Sequence, residues 1–449
     1  MRTPKKGEDP EKDVRKSEEA DDEKEADDEK EPEEIIPPPV PTWRLCWIWR
    51  DTDGSEADAG DATATEAEEE LAFAVRGAPD FAVPWKQIES VEEGDHQLTL
   101  RLHDGTALVL HRVGRGHDHL TSAVMAHFGE QVRKEALAEE TLLEEFSGSA
   151  APLGGEGRDC RVPVYETALC LTFADGDAVR LPFAFAGVER DGYRFTVLLP
   201  DGTGWTLSKF GRRTDAFAAA VDRATSAMYA HASEFVRILA PDLPPLKVRK
   251  LSEFFLDGRA ARRQDVLSAG DTLSTGLVRE LERVGLLPSW EALAAFDGLD
   301  RARIGIKRGL LSGGTAYVFF MVPIESGARR RIVFEAASDA TGSRATYVFD
   351  TGILSAKDAE TALDVLNYGL YMVNFRREPI YLSDKQLQKP AYLRYRRALE
   401  RIPALSVLRG AFVGRAMHGE DWDARLRRLL EADAPPAGGD ACTVTGPYE

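Results

Sequence analysis

The side chains best suited to chemistry in this chain are histidines and arginines. Six of the eight histidines, His96, His103, His111, His117, His119 and His127, crowd into one stretch, and His117-Asp118-His119 offers ligand types that a metal ion takes. The strands expected around them alternate in facing, which scatters the six over both sides of a sheet, so surface and capping histidines are the preferred reading. A second group lies near the other end of the chain. Arg376, Arg377, Tyr392, Arg394, Tyr395, Arg396, Arg397 and Arg401 interleave cations with aromatic rings, and the segment Arg376 to Arg428 carries 13 bases against 6 acids. Three roles compete for this binding candidate: a nucleic-acid surface, a solvated helix face, or a receptor for an acidic segment of the same chain or of a neighbour.

Familiar catalytic spacings are missing from the sequence. It contains no G-x-S-x-G, no G-x-x-x-x-G-K-[ST], no H-E-x-x-H and no G-x-G-x-x-G. Leu311-Ser312-Gly313-Gly314-Thr315 is a glycine turn ahead of a strand rather than a phosphate cradle. The four cysteines, Cys46, Cys160, Cys170 and Cys442, have neither metal-ligand spacing nor disulfide density, which points to a reducing cytoplasm. No cofactor or metal is called for, and no catalytic residue can be named.

The elements that position these side chains are duplicated. The stretch Leu169 to Phe235, slid back by 97 or 98 residues, lands on Leu71 to Val132. Leu71, Phe81, Pro84 and Val91 stand where Leu169, Val179, Pro182 and Glu189 stand at an offset of 98. After a one-residue adjustment, Asp104-Gly105-Thr106, Gly114-Arg115, Asp118 and Leu120 fall on Asp201-Gly202-Thr203, Gly211-Arg212, Asp215 and Phe217. Arg194 to Leu199 alternates apolar and polar residues, a turn follows, and Trp205 to Ser208 resumes the alternation, which is a hairpin. Phe217, Ala220, Val221, Ala224 and Met228 then recur at helical spacing. Each copy therefore reads as antiparallel strands closed by one amphipathic helix. The second copy has Tyr193, Pro200, Ser208, Thr214, Ala216 and Ala224 where the first has its six histidines, which weighs against a metal site.

This order of a proline-bearing strand, an Asp-Gly hairpin, a glycine exit and one helix resembles the pleckstrin-homology-like superfamily, including its GRAM-type members. The resemblance runs over Trp43 to Phe146 and Arg161 to Leu239. It implies a small curled sheet or barrel plugged by its helix. It also implies binding of phosphoinositides, peptides or other proteins rather than catalysis.

Charge and composition mark the boundaries. The chain has 449 residues and a formal charge of −19, of which residues 1–40 supply −8 and residues 51–70 supply −9, so the remainder is nearly neutral. The expected fold class is α+β: tandem small antiparallel units each closed by a C-terminal helix, then a helical connector and a third β-then-helix region. The expected limits are an acidic disordered tail over 1–40, a first unit over 41–146 with an acidic loop at 51–70, and a Gly/Ser linker over 147–160. A second unit follows over 161–240, a helical connector over 241–300, a third domain over 301–432 with a basic helical end, and a disordered tail over 433–449. In the third domain Ser355 is the expected cap of a helix running to Val373, and a third, diverged copy of the unit is one reading of its strands. Lacking apolar residues, the 51–70 loop is expected to be dispensable for folding.

The function these features point to is that of a non-catalytic, bacterial-type adaptor or scaffold, whose sheet edges and helix–sheet grooves take up protein segments. The partner expected is therefore a protein. One alternative is an acidic chaperone of basic, histone-like proteins, because acidic arms joined to tandem folds of this kind resemble histone chaperones. Another is a membrane-surface phospholipid sensor using the basic end, although the 51–70 acids would repel anionic headgroups. Neither nucleic acid nor membrane has a strong case, and the chain contains no apolar run of spanning length.

Overall fold

Strand β1 (Thr42–Arg50) starts the fold because TWRLCWIWR turns Trp43, Leu45 and Trp47 to one side and Arg44 and Cys46 to the other. The computed structural model describes residues 40–432 except 201, 269, 297, 309–315, 327–328, 338–343 and 355–357. The acidic tail up to residue 39, Asp201, the Leu311–Thr315 turn, Ser355, Cys442 and the 433–449 tail lie outside the described residues. After β1 come β2 (Glu56–Glu66), β3 (Glu70–Val75), β4 (Phe81–Pro84), β5 (Ile88–Gly94), β6 (Gln97–Leu102), β7 (Ala107–His111) and helix α1 (His117–Glu135). The strands form one antiparallel sheet in the order β4-β3-β2-β1-β7-β6-β5. Leu120, Val124, Phe128 and Val132, each one turn from the last, set α1 onto Trp43, Trp47, Leu98, Leu100 and Leu108 in a single core. Burying a side chain of this size stabilises by about 1.5–3 kcal/mol.

The second copy comprises β8 (Leu142–Pro152), β9 (Arg158–Tyr165), β10 (Ala168–Thr172), β11 (Ala178–Pro182), β12 (Gly187–Asp191), β13 (Arg194–Leu198), β14 (Gly204–Ser208) and α2 (Thr214–Leu239). Its sheet has the order β11-β10-β9-β8-β14-β13-β12, the same arrangement strand for strand. The duplication is therefore two separate seven-stranded sheets of like topology, each followed by its own helix. The one-residue change of offset has a structural cause. In β5 the pairing with β6 slips between Ile88 and Ser90, leaving Glu89 as an extra, bulged residue. Beyond it Val91 pairs with Leu100, as Val188 pairs with Val197 in the second copy, so Val91 matches Val188 rather than Glu189.

Two segments expected to be loops are strands. The acidic stretch 51–70 contains β2, which pairs with β1 on one side and β3 on the other. Its sequence EADAGDATATE alternates acids and threonines with small residues, and Ala62 and Ala64 are buried while Asp58 and Asp61 face solvent. Alanine contributes little apolar area, so the alternation is easily passed over as a polar run. The expected 147–160 linker is the second half of β8, the turn after it and the start of β9, a hairpin that opens the second sheet at Leu142. Its small residues are there for close approach: a Cβ on Gly148 would lie 2.7 Å from the Ser208 carbonyl and 3.0 Å from the Phe210 ring.

The expected connector is mostly helical, with α3 (Pro245–Ser252), β15 (Ala260–Arg262), α4 (Arg263–Ser268), α5 (Asp271–Arg283) and α6 (Leu287–Leu293). Strand β15 leaves the connector to become the edge of a third sheet. That sheet continues through β16 (Arg303–Arg308), β17 (Ala316–Ser326), β18 (Arg329–Ala337), β19 (Arg344–Asp350) and β20 (Phe412–Met417) in simple sequential order. Between β19 and β20 run α7 (Ala359–Met372), α8 (Glu378–Tyr381), α9 (Asp384–Leu387), α10 (Leu393–Arg401) and α11 (Pro403–Ala411), and α12 (Trp422–Glu431) follows. Asp358 caps α7 by accepting from the Thr361 N–H at 2.7 Å. The third region therefore does not repeat the strand order of the first two. Its strands are apolar on both faces because both are covered. Phe319 and Met321 join the core of the second copy, while Val318, Phe320 and Val322 meet α3, α5, α6 and α12. Among the described residues no helix is long and apolar enough to cross a membrane.

Candidate functional site

The arginine and tyrosine cluster singled out in the sequence is directed mostly inward. Arg376 and Arg394 both reach Glu139, the latter at 3.0 Å, and Arg401 holds Glu135 at 2.7 Å, so three cations of the C-terminal helices close on the acidic exit of α1. Arg397 pairs with Glu400, Arg396 donates to Gln388, and Arg377 lies over the Tyr347 ring. Tyr392 stacks on Tyr395, whose hydroxyl accepts from Arg394. The acidic segment that receives this face is Glu135 to Glu139, between the first two sheets.

The histidines are dispersed. His127 stacks flat on Trp85 and binds Glu66 at 2.8 Å, fastening α1 to β2, while His119 packs on Trp43. His103 is half-buried with both ring nitrogens shielded from solvent, and this burial, aided by the charge of Arg397, lowers its pKa below the ordinary 6.5. Among the described residues no three His, Cys, Asp or Glu side chains are grouped to hold a metal ion.

A buried polar network locks the second copy to the third sheet. Arg180, in the strand AVRLP, donates to the Tyr371 carbonyl and to Glu140, which also accepts from Thr167 at 2.9 Å. Tyr371 donates its hydroxyl to the Thr167 carbonyl, and Lys307 pairs with Asp257 at 2.6 Å beneath the same ring. Burial pushes Arg180 and Lys307 below their ordinary pKa values, and Asp257 opposes this for both. Elsewhere, Glu335 is fully buried, binds His418 at 2.7 Å and accepts from Thr346. The set has acid, imidazole and hydroxyl, but Thr346 is fully buried and also accepts from Trp422, so it ties β18, β19 and α12 together rather than presenting a nucleophile.

The equivalent edges of the two copies differ. The bulged edge of β5 is engaged: the Val91 N–H donates to the Ala174 carbonyl at 2.8 Å, in the β10–β11 turn of the second copy. Gly176 makes that approach possible, since its φ is +86° and a Cβ there would stand 2.6 Å from the Glu89 carbonyl. Arg401 seals the junction by donating to the Gly176 carbonyl. Strand β12 has no bulge, and all its residues but Val188 are exposed. Among the described residues it pairs with β13 alone. Arg190 reaches across to Asp215 at the start of α2 at 2.6 Å.

A cavity of about 660 Å³ opens beside the beginning of β12, between the second copy and the third sheet. Phe185, two residues ahead of β12, stands edge-on to Tyr368 at 5.5 Å, and Phe254 completes an aromatic lining. The polar lining includes Arg259, Arg262 and Arg303 with Asp265, Asp364 and Asn367. Asn367 acts as a substitute strand for the edge of β15, accepting from the Ala260 N–H at 2.9 Å and donating to the Gly258 carbonyl at 2.8 Å. Neither the β12 edge nor this cavity was singled out in the sequence; the signal for the edge was the change of offset from 98 to 97. Compared with protein-family models and with curated proteins, the chain has no match.

Proposed function

We propose that this protein is a non-catalytic interaction adaptor, built on tandem pleckstrin-homology-like units, that takes up an extended segment of a partner protein along the β12 edge. The observation that carries this reading is the contrast between the two copies. The first copy's edge already accepts a backbone contact from another part of the chain, whereas the second copy's edge is regular, exposed and unpaired among the described residues. A strand edge offers a row of N–H and C=O groups whose affinity does not depend on special side chains. That suits a chain without catalytic spacings. The shared strand order supports the pleckstrin-homology-like resemblance.

The test is retention of a random heptapeptide pool by the full chain, compared with a variant carrying one glutamate inserted between Ala186 and Gly187 to copy the Glu89 bulge. The variant should lose retention with its melting temperature unchanged; equal retention by both chains would refute strand addition at this edge. One observation favours the chaperone alternative: Glu56, Asp58 and Asp61 are exposed along β2. Under that alternative, binding to a basic protein would fall steeply with salt and survive the β12 insertion. A membrane-surface role has little cationic face to draw on, since Arg376, Arg397 and Arg401 are paired within the molecule.

A further inference from the structure

We infer that the cavity beside β12 reads the C-terminal carboxylate of the segment laid along that strand; the inference rests on the strand-addition reading above. Every recorded pairing in this sheet is antiparallel, so an added strand runs opposite to β12. Strand β12 runs from Gly187 to Asp191, and the incoming chain therefore advances toward Gly187 and then Phe185. At about 3.3 Å per residue, the one or two residues past Gly187 arrive at the cavity that Phe185 lines. The aromatic lining suits an apolar last side chain, and about 660 Å³ accommodates a terminal residue of any size.

The charges decide what else enters. Arg303 holds Glu360 at 2.7 Å and Asp364 at 3.1 Å, and Arg262 lies 3.6 Å from Glu360, so these cations and acids offset one another. Asp265 sits in the first turn of α4, where the free N–H groups of the helix start offset a carboxylate. Arg259 remains. It is exposed, lines the cavity and forms no ion pair among the described residues. A guanidinium is a planar two-pronged donor matched to a carboxylate. A chain end supplies that anion at the point where the strand meets the cavity wall. An internal segment would instead have to turn away.

Two pools of N-acetylated random heptapeptides lacking Asp and Glu, one as free acids and one as C-terminal amides, test this on the full chain. The free-acid pool should be retained about tenfold better, the gain of one charge-assisted contact. Arg259→Ala should abolish that preference and Arg259→Lys should keep part of it. Equal retention of both pools, lost on the β12 insertion, would overturn the carboxylate inference and leave strand addition standing. Retention of neither pool would overturn both.

Discussion

The two copies of the sheet-and-helix unit share one strand order and differ in how their last hairpin meets the rest of the molecule. In the first copy the edge is bulged at Glu89, touched by the turn at Gly176 and clamped by Arg401. In the second it is straight and exposed. The difference extends inward. Where the first copy has Ala82, the second has Arg180, the buried cation that ties it to Tyr371 and Glu140. One copy thus serves as the covered partner, and the other is fixed in place with an edge to spare. Under the adaptor proposal, duplication followed by unequal use of one edge would turn a folding unit into a binding unit.

Several changes would break or sharpen this contrast. The largest effect should come from deleting residues 51–70, which removes β2 from between β1 and β3; cooperative unfolding of the first copy, followed by near-ultraviolet circular dichroism, should disappear. A melting transition like that of the intact chain would return the segment to loop status. Next in size, Glu140→Ala strands Arg180 in the interior and should cost about 3–5 kcal/mol in urea denaturation. The exposed pair Lys134–Glu130 serves as control, and Glu130→Ala should cost less than about 1 kcal/mol.

Smaller effects separate the two hairpins. Gly192→Ala, in the β12–β13 turn with φ +58° and open space around its Cβ, should cost about 1–2 kcal/mol for the left-handed backbone alone. Gly176→Ala should cost more, because its Cβ also meets the Glu89 carbonyl, and it should expose the Val91 amide to exchange. The smallest effect concerns pH. His103 has its pKa lowered in the folded chain, so below about 6.5 the unfolded chain binds more protons and stability falls as pH drops. His103→Leu should flatten the melting-temperature profile on that acidic side; an unchanged profile would exclude His103 as its source.

Much of this fold is written in the order of residues, and the exceptions are physical. The repeat, both closing helices and the hairpins of β6–β7 and β13–β14 follow from alternation, turn residues and helical spacing. Strand β2 was hidden because its inward residues, Ala62 and Ala64, are small, although they match Cys160 and Val162 of the second copy. Strand β8 was hidden because Gly148 and Ala150 are small where they cross β14. The inward use of Arg376, Arg394 and Arg401 depends on Glu135 and Glu139, more than two hundred residues away, a pairing that no local pattern records. The cavity is likewise assembled from β12's approach, β15 and α7, which meet only in the folded chain.

Amide hydrogen exchange, resolved at β5 and β12 in the free full-length chain, tests the contrast most directly. The Val91 amide should be strongly protected by the Ala174 carbonyl, while the outward amides of Gly187 to Asp191 should exchange close to the rate of exposed turns. Protection of the β12 amides equal to that of Val91 would mean that this edge is already occupied, and the adaptor proposal would lose its site.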